Sequence, residues 1–124
     1  MIHIGSYTYV KLSKVQLGYL FVTKGIKSYS MGSEIVLKKD STFTRITCGN
    51  IINGKWYQVK DSLFLKTLNI RWRSDSLEKY GLDGKWPSIP IKPIGFKIDN
   101  DCLEKIFVSN KGDKVIERLK FNVP

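Results

Sequence analysis

Apolar and aromatic residues in this chain recur at alternate positions, in short runs broken by turn residues. Period-two alternation puts one set of side chains on one face of an extended strand, whereas a helix needs spacings of three and four. Runs of this kind, broken roughly every eight to twelve residues, belong to antiparallel all-β folds. At 124 residues the chain is the size of one domain, taken as residues 1–124. A chain of that length buries roughly two thirds of its unfolded surface and needs neither metal nor disulfide to fold. Its apolar content of 42% is too high for a disordered chain.

The first strands are expected at Ser6–Leu12 and Val15–Thr23, with Val15, Leu17, Tyr19 and Phe21 on one face of the second. A glycine- and serine-bearing loop, Lys24–Ser33, leads to a strand at Glu34–Lys39 with Ile35 and Leu37 inward. Asp40-Ser41 turns the chain into Thr42–Cys48. Asn53-Gly54 reads as a type I′ hairpin turn, because that turn needs positive φ at both central residues. Lys60-Asp61 makes another tight turn into Ser62–Thr67, where Leu63 and Leu65 share a face. Beyond it Leu68, Ile70 and Trp72 take the opposite parity, which predicts a bulge or break at Lys66–Leu68. One short helix is expected near residues 75–80, capped by Asp75 and Glu78 and stopped by Gly81. The stretch Asp83–Pro93 holds three of the four prolines and reads as an extended crossover. A closing meander follows, Gly95–Asp99, Cys102–Val108 and Val115–Val123, its last pair joined by Asn110–Asp113.

Leu37-Lys-Lys-Asp-Ser-Thr-Phe43, then Cys48-Gly49, Gly54-Lys-Trp56 and Val59-Lys-Asp-Ser-Leu-Phe-Leu65, follow one another in the middle of the chain, behind an opening Gly5-Ser6-Tyr7. The series resembles the small lipocalin-like domains of bacterial envelope lipoproteins and secreted proteins, closely over about thirty residues and loosely over the first 65. The resemblance implies a single antiparallel up-and-down barrel or half-barrel of about eight strands, with Phe43 in the core, Gly54 in the hairpin and Trp56 at the barrel end. It implies an exported protein, in the periplasm or cell envelope, and carries no catalytic residues. The segment from Asn69 to Pro93 has no counterpart in the plain meander.

Catalytic chemistry is thinly provided for. The one histidine, His3, lies close to the start of the chain, so a His-assisted nucleophile would have to be built there. Two cysteines and one histidine, widely spaced, do not make a zinc site, and Asp99-Asn100-Asp101 lacks the glycine and distal glutamate of a calcium loop. No glycine-rich phosphate loop is present, and no pair of acids sits in a recognisable motif. The expectation is a protein that is not an enzyme and carries no metal or cofactor. Cys48 and Cys102 either close a 54-residue loop, worth about 4 kcal/mol, or remain inert thiols. The missing spacing motif favours thiols. Pro87-Ser-Ile-Pro90 and Pro90-Ile-Lys-Pro93 match a polyproline ligand pattern, but inside a small domain they read as a stiff crossover. No run reaches 18 apolar residues and no leader is legible at the start. Both a mature exported domain and a cytoplasmic protein fit that reading.

The formal net charge is +10, and residues 1–74 hold twelve bases against three acids, hence +9 of it. Lysines outnumber arginines 17 to 4, which suits solvation or an anionic membrane or glycan surface better than bidentate phosphate recognition. No RNP, KH or cold-shock pattern accompanies the charge, so nucleic acid is not the favoured partner. The expected function is a non-catalytic binding or structural module. A small hydrophobic or anionic ligand would enter the barrel mouth among Tyr19, Phe21, Trp56 and Trp72, with Arg71 or Arg73 meeting its charge. Core filling is the plainer reading of those aromatics, since an eight-stranded barrel is just filled by its own side chains. The alternative is a basic interaction protein of immunity type that binds nucleic acid or an acidic protein.

Overall fold

The structure, a computed structural model, describes residues 2–10, 12–29, 33–47, 49–72, 89, 91–109 and 111–123. Among the described residues the strands are β1 (Gly5–Tyr9), β2 (Ile26–Tyr29), β3 (Glu34–Leu37), β4 (Thr42–Ile46), β5 (Asn50–Val59), β6 (Ser62–Trp72), β7 (Ile94–Asp99), β8 (Cys102–Val108) and β9 (Lys114–Phe121), with one helix, α1 (Lys14–Lys24), between β1 and β2. Strands β1, β3, β4, β5, β6, β7, β8 and β9 pair in that order, and β1 pairs back onto β9. The sheet is therefore a closed antiparallel eight-stranded barrel, which leaves no free barrel edge. The short β2 adds to the β9 edge in parallel, at Lys114–Ile116, beyond the point where β1 leaves it.

Strand parity sets the interior. Ile35 and Leu37 from β3, Phe43 from β4, Leu63 and Leu65 from β6, Phe96, Leu103 and Leu119 form one buried cluster with Tyr7. This cluster fills the barrel towards the end where the tight turns lie: Lys38–Ser41, Lys60-Asp61 and Asn100-Asp101. Trp56 packs against it there, and its indole N–H donates to the Lys38 carbonyl at 3.0 Å. His3 stacks on Phe121 with ring centroids 4.5 Å apart and its Nε2 lies 2.9 Å from the Asp101 carboxylate. The Tyr7 hydroxyl accepts from the His3 N–H and donates to the His3 carbonyl. Burial pushes the Tyr7 phenol above its ordinary value.

Asp40-Ser41 and Lys60-Asp61 turn the chain where their sequence signals place them, and Asn53-Gly54 does not. Asp40 accepts from the Thr42 hydroxyl and N–H, and Ser41 sits at φ 67° to reverse the chain. Those Thr42 bonds hold the Asp40 carboxyl below its ordinary value. The stabilisation is therefore present above about pH 3.8 and lost as pH falls through the lowered native value. Asp40→Asn should flatten that acid limb of a pH–melting-temperature curve, and an unchanged limb would exclude the mechanism. Asn53-Gly54, by contrast, is not a turn. It lies inside β5, and the β4–β5 connection is at Thr47–Asn50, closed by Thr47 N–H to the Asn50 carbonyl at 3.0 Å.

Gly54 is needed for closeness rather than for φ. A Cβ there would overlap the Lys66 carbonyl oxygen and meet the Phe43 ring at 2.7 Å. The register shifts at the same place, with Asn53 opposite Asn69 and Gly54 opposite Thr67, so Leu68 is the extra residue. This is the bulge that the parity change at Lys66–Leu68 predicts.

The segment expected as a strand at Val15–Thr23 is α1. Ser13 accepts from the Gln16 N–H while the Gln16 side chain accepts from the Ser13 N–H, a complete capping box. Gly25 ends the helix at φ 66° and donates to the Phe21 carbonyl at 3.0 Å. Leu20, with Leu17 beside it, packs with Leu12 and Ile26 on the outer face of Ile116. Local caps and that contact outweigh the β-branched and aromatic alternation. The helix expected near residues 75–80 and most of the proline crossover lie outside the described residues. Cys102 is a free thiol, raised above its ordinary value by burial. Cys48 lies outside the described residues.

Candidate functional site

Above the apolar filling, the interior turns ionic. Arg45 follows Phe43 on the inward face of β4, Glu117 lies between Val115 and Leu119 on β9, and Lys105 lies between Leu103 and Phe107 on β8. The side chains of Arg45 and Glu117 are only 13% and 7% exposed. Arg45 Nη2 lies 2.9 and 3.2 Å from the two carboxylate oxygens. Arg45 Nε donates to the Ser33 hydroxyl at 3.0 Å, and that hydroxyl donates to Glu117 Oε1 at 3.2 Å. The three side chains close a ring of hydrogen bonds, the condition under which a buried ion pair is tolerated.

Lys105 is directly opposite Glu117 in the β8–β9 register, yet the carboxylate is turned to Arg45. The Lys105 ammonium instead lies 6.0 Å over the Phe96 ring and 5.8 Å over the Phe107 ring, and Arg45 Cζ lies 5.6 Å over Phe96. Burial first, and the Arg45 charge second, hold Lys105 below the usual lysine range, with Glu117 opposing. Among the described residues, two cations and one carboxylate share the interior, one positive charge in excess. The cluster is displaced from the plugged end towards the end where the chain connects β1 to β3, β4 to β5, β6 to β7 and β8 to β9. Asn50, at the start of β5 on that rim, holds a buried side-chain oxygen with no hydrogen-bond partner among the described residues.

Of the residues expected at the mouth, Tyr19, Phe21, Trp56 and Arg71 do not converge. Tyr19 and Phe21 ride on α1, outside the barrel and 66% and 55% exposed. Trp56 is inside, but at the plugged end. Arg71 is exposed and lies in register with Ile51, one residue out of phase with the inward Ile52. Trp72 ends β6 opposite Asn50 on the rim, and Arg73 lies outside the described residues. What sequence reasoning missed is Arg45, Lys105, Glu117 and Ser33. The signal was present: each of the three charges occupies an inward parity position flanked by core apolar residues.

Comparison of the chain with protein-family models, with curated proteins and with solved structures finds no match. The barrel and its interior charges stand as the basis for function.

Proposed function

We propose that the protein is a non-catalytic binding module that takes a small anionic ligand with an apolar portion into the mouth end of its barrel. The excess interior cation carries this reading. Lys105 is held among aromatic rings at a desolvation cost, and a ligand carboxylate or sulfonate would supply the counter-charge that Glu117 gives to Arg45. Phe96 and Phe107 would meet the apolar portion. The lipocalin-like pattern of the first 65 residues and the lysine-rich composition fit an exported protein of the bacterial envelope.

Titration of a fluorescent anionic amphiphile such as anilinonaphthalene sulfonate, displaced by an alkyl carboxylate, tests it. Lys105→Met is expected to weaken the carboxylate about tenfold to a hundredfold, the worth of one charge-assisted contact, and to leave the matched alcohol unchanged. Equal loss for acid and alcohol, or no binding by the parent protein, would sink the reading. The same variant has a second readout. Native Lys105 binds its proton less tightly than unfolded lysine, so its penalty is complete below the lowered native value and relieved as pH rises through 10.5. Near neutral pH, Lys105→Met should stabilise the fold, by less than about 1 kcal/mol because solvent screens the half-exposed ammonium.

A second reading, a basic interaction protein for nucleic acid or an acidic partner, draws on Lys55 and Lys66, exposed and directly opposite each other on β5 and β6. Like charges so placed repel and would be relieved by a polyanion. Binding of that kind would weaken steeply with salt.

A further inference from the structure

Helix α1 is apolar on two opposite sides. Leu17 and Leu20 face the barrel. At 100° per residue, Val15, Gly18, Tyr19 and Val22 form an i, i+3, i+4, i+7 stripe on the opposite side. Val15 and Val22 are each 83% exposed, Tyr19 66%, and Phe21 on the flank 55%. An added Cβ at Gly18 would touch nothing within 4 Å, so the stripe is open along its length. A helix apolar all round is expected only where both sides are covered.

The charges around the stripe say what covers it. The helix contains no acidic residue, and Lys14 and Lys24 stand at its two ends. A cation in the first turn opposes the helix dipole, which favours Asp or Glu there, so Lys14 does not serve the helix itself. Beside the stripe runs an open groove of about 510 Å³ lined by Val15, Gln16, Tyr19, Leu20, Lys24 and Arg118. Donors and cations thus border exposed valine, tyrosine and phenylalanine, the arrangement of an element lying in the plane of a lipid interface. Eleven residues span about 16 Å, too short to cross the roughly 30 Å hydrocarbon core, so the helix would lie on the bilayer.

We propose that the outer face of α1 docks the protein on an anionic lipid bilayer. Val15, Tyr19 and Val22 enter the headgroup–acyl boundary with Phe21 left on one flank, and Lys14 and Lys24, at the two ends of the helix, reach the lipid phosphates. The proposal is independent of the interior ligand and survives its failure.

Sedimentation of the full chain with phosphatidylcholine vesicles, with and without phosphatidylglycerol, tests it. The parent is expected to bind the anionic vesicles at least about tenfold more strongly, and added salt to weaken that binding. Val15→Gln/Tyr19→Gln/Val22→Gln keeps helix propensity and touches no core residue, so it should melt as the parent does while losing about tenfold or more in vesicle affinity. Lys14→Gln/Lys24→Gln should lose a similar factor, on anionic vesicles only. Tyr19→Trp gives a direct readout: its added fluorescence should shift blue and be quenched by brominated phosphatidylglycerol. The proposal is overturned if the parent ignores anionic vesicles, if the triple variant binds as the parent does, or if neutral and anionic vesicles bind alike. It is equally overturned if the stripe proves to hold a second copy, seen as a dimer that the triple variant dissociates without any change in vesicle binding.

Discussion

Glu117→Ala is expected to destabilise the barrel by about 3–5 kcal/mol, the cost of leaving a buried cation without its partner. Arg45 would remain in the interior with its guanidinium facing a void, close to the Phe96 ring and to the Lys105 charge. The Ser33 hydroxyl would lose the carboxylate to which it donates. Urea unfolding measures the effect directly as a shift in midpoint at constant slope. The pair itself is a different matter, because buried ion pairs are often replaceable by apolar residues of similar volume. Arg45→Met/Glu117→Leu should therefore recover most of the loss, to within about 1 kcal/mol of the parent. A single substitution costing under about 1 kcal/mol would mean that water reaches the cluster freely. That would also weaken the proposed ligand site, which depends on a partly desolvated Lys105.

Gly54→Ala is expected to cost about 3 kcal/mol or more, through overpacking against backbone. The new methyl would run into the Lys66 carbonyl oxygen, an atom of the β5–β6 ladder that cannot swing aside as a side chain can, and then into Phe43. Gly49 is the matched control: an added Cβ there meets nothing within 4 Å, so Gly49→Ala should stay within about 0.5 kcal/mol of the parent. Gly54→Asn separates two physical accounts of the same glycine. A type I′ turn would accept asparagine readily, whereas close approach makes asparagine at least as damaging as alanine. Thermal melting of the three variants decides between them, and a tolerated Gly54→Asn would reject the close-approach account.

Local pattern made much of the barrel legible. Ile35 and Leu37, and Leu63 and Leu65, took their predicted shared faces because a half-buried strand has no alternative to period two, and the closing meander formed as three strands where expected. The bulge at Leu68 was visible as a change of parity, since one extra residue flips every later side chain. The helix was not visible in the same way. In Lys14–Lys24 alternating apolar residues coexist with leucines three apart, and exposed valines and aromatics imitate a strand. The better signals were local, Ser13 with Gln16 and Gly25, because caps report on backbone groups and not on which face is buried.

The candidate site divides along the same line. Phe43-x-Arg45, Leu103-x-Lys105-x-Phe107 and Val115-x-Glu117-x-Leu119 each state in sequence that a charge points inward. Parity alone determines that, because alternate side chains share a face. Which inward charges meet is decided by barrel closure. Residues 45 and 117 are 72 positions apart and lie on strands that are not neighbours in the sheet. Only the curvature of a closed barrel brings such positions across its interior. The sequence by itself thus determined the all-β class, most of the faces, the turn at Asp40-Ser41 and the bulge at Leu68, which are nearest-neighbour properties of an extended chain. Only the tertiary structure decided that Glu117 serves Arg45 and leaves Lys105 in excess, that Gly54 is required by a neighbouring backbone, and that Tyr19 and Phe21 face outward. Those outcomes depend on which atoms approach across space.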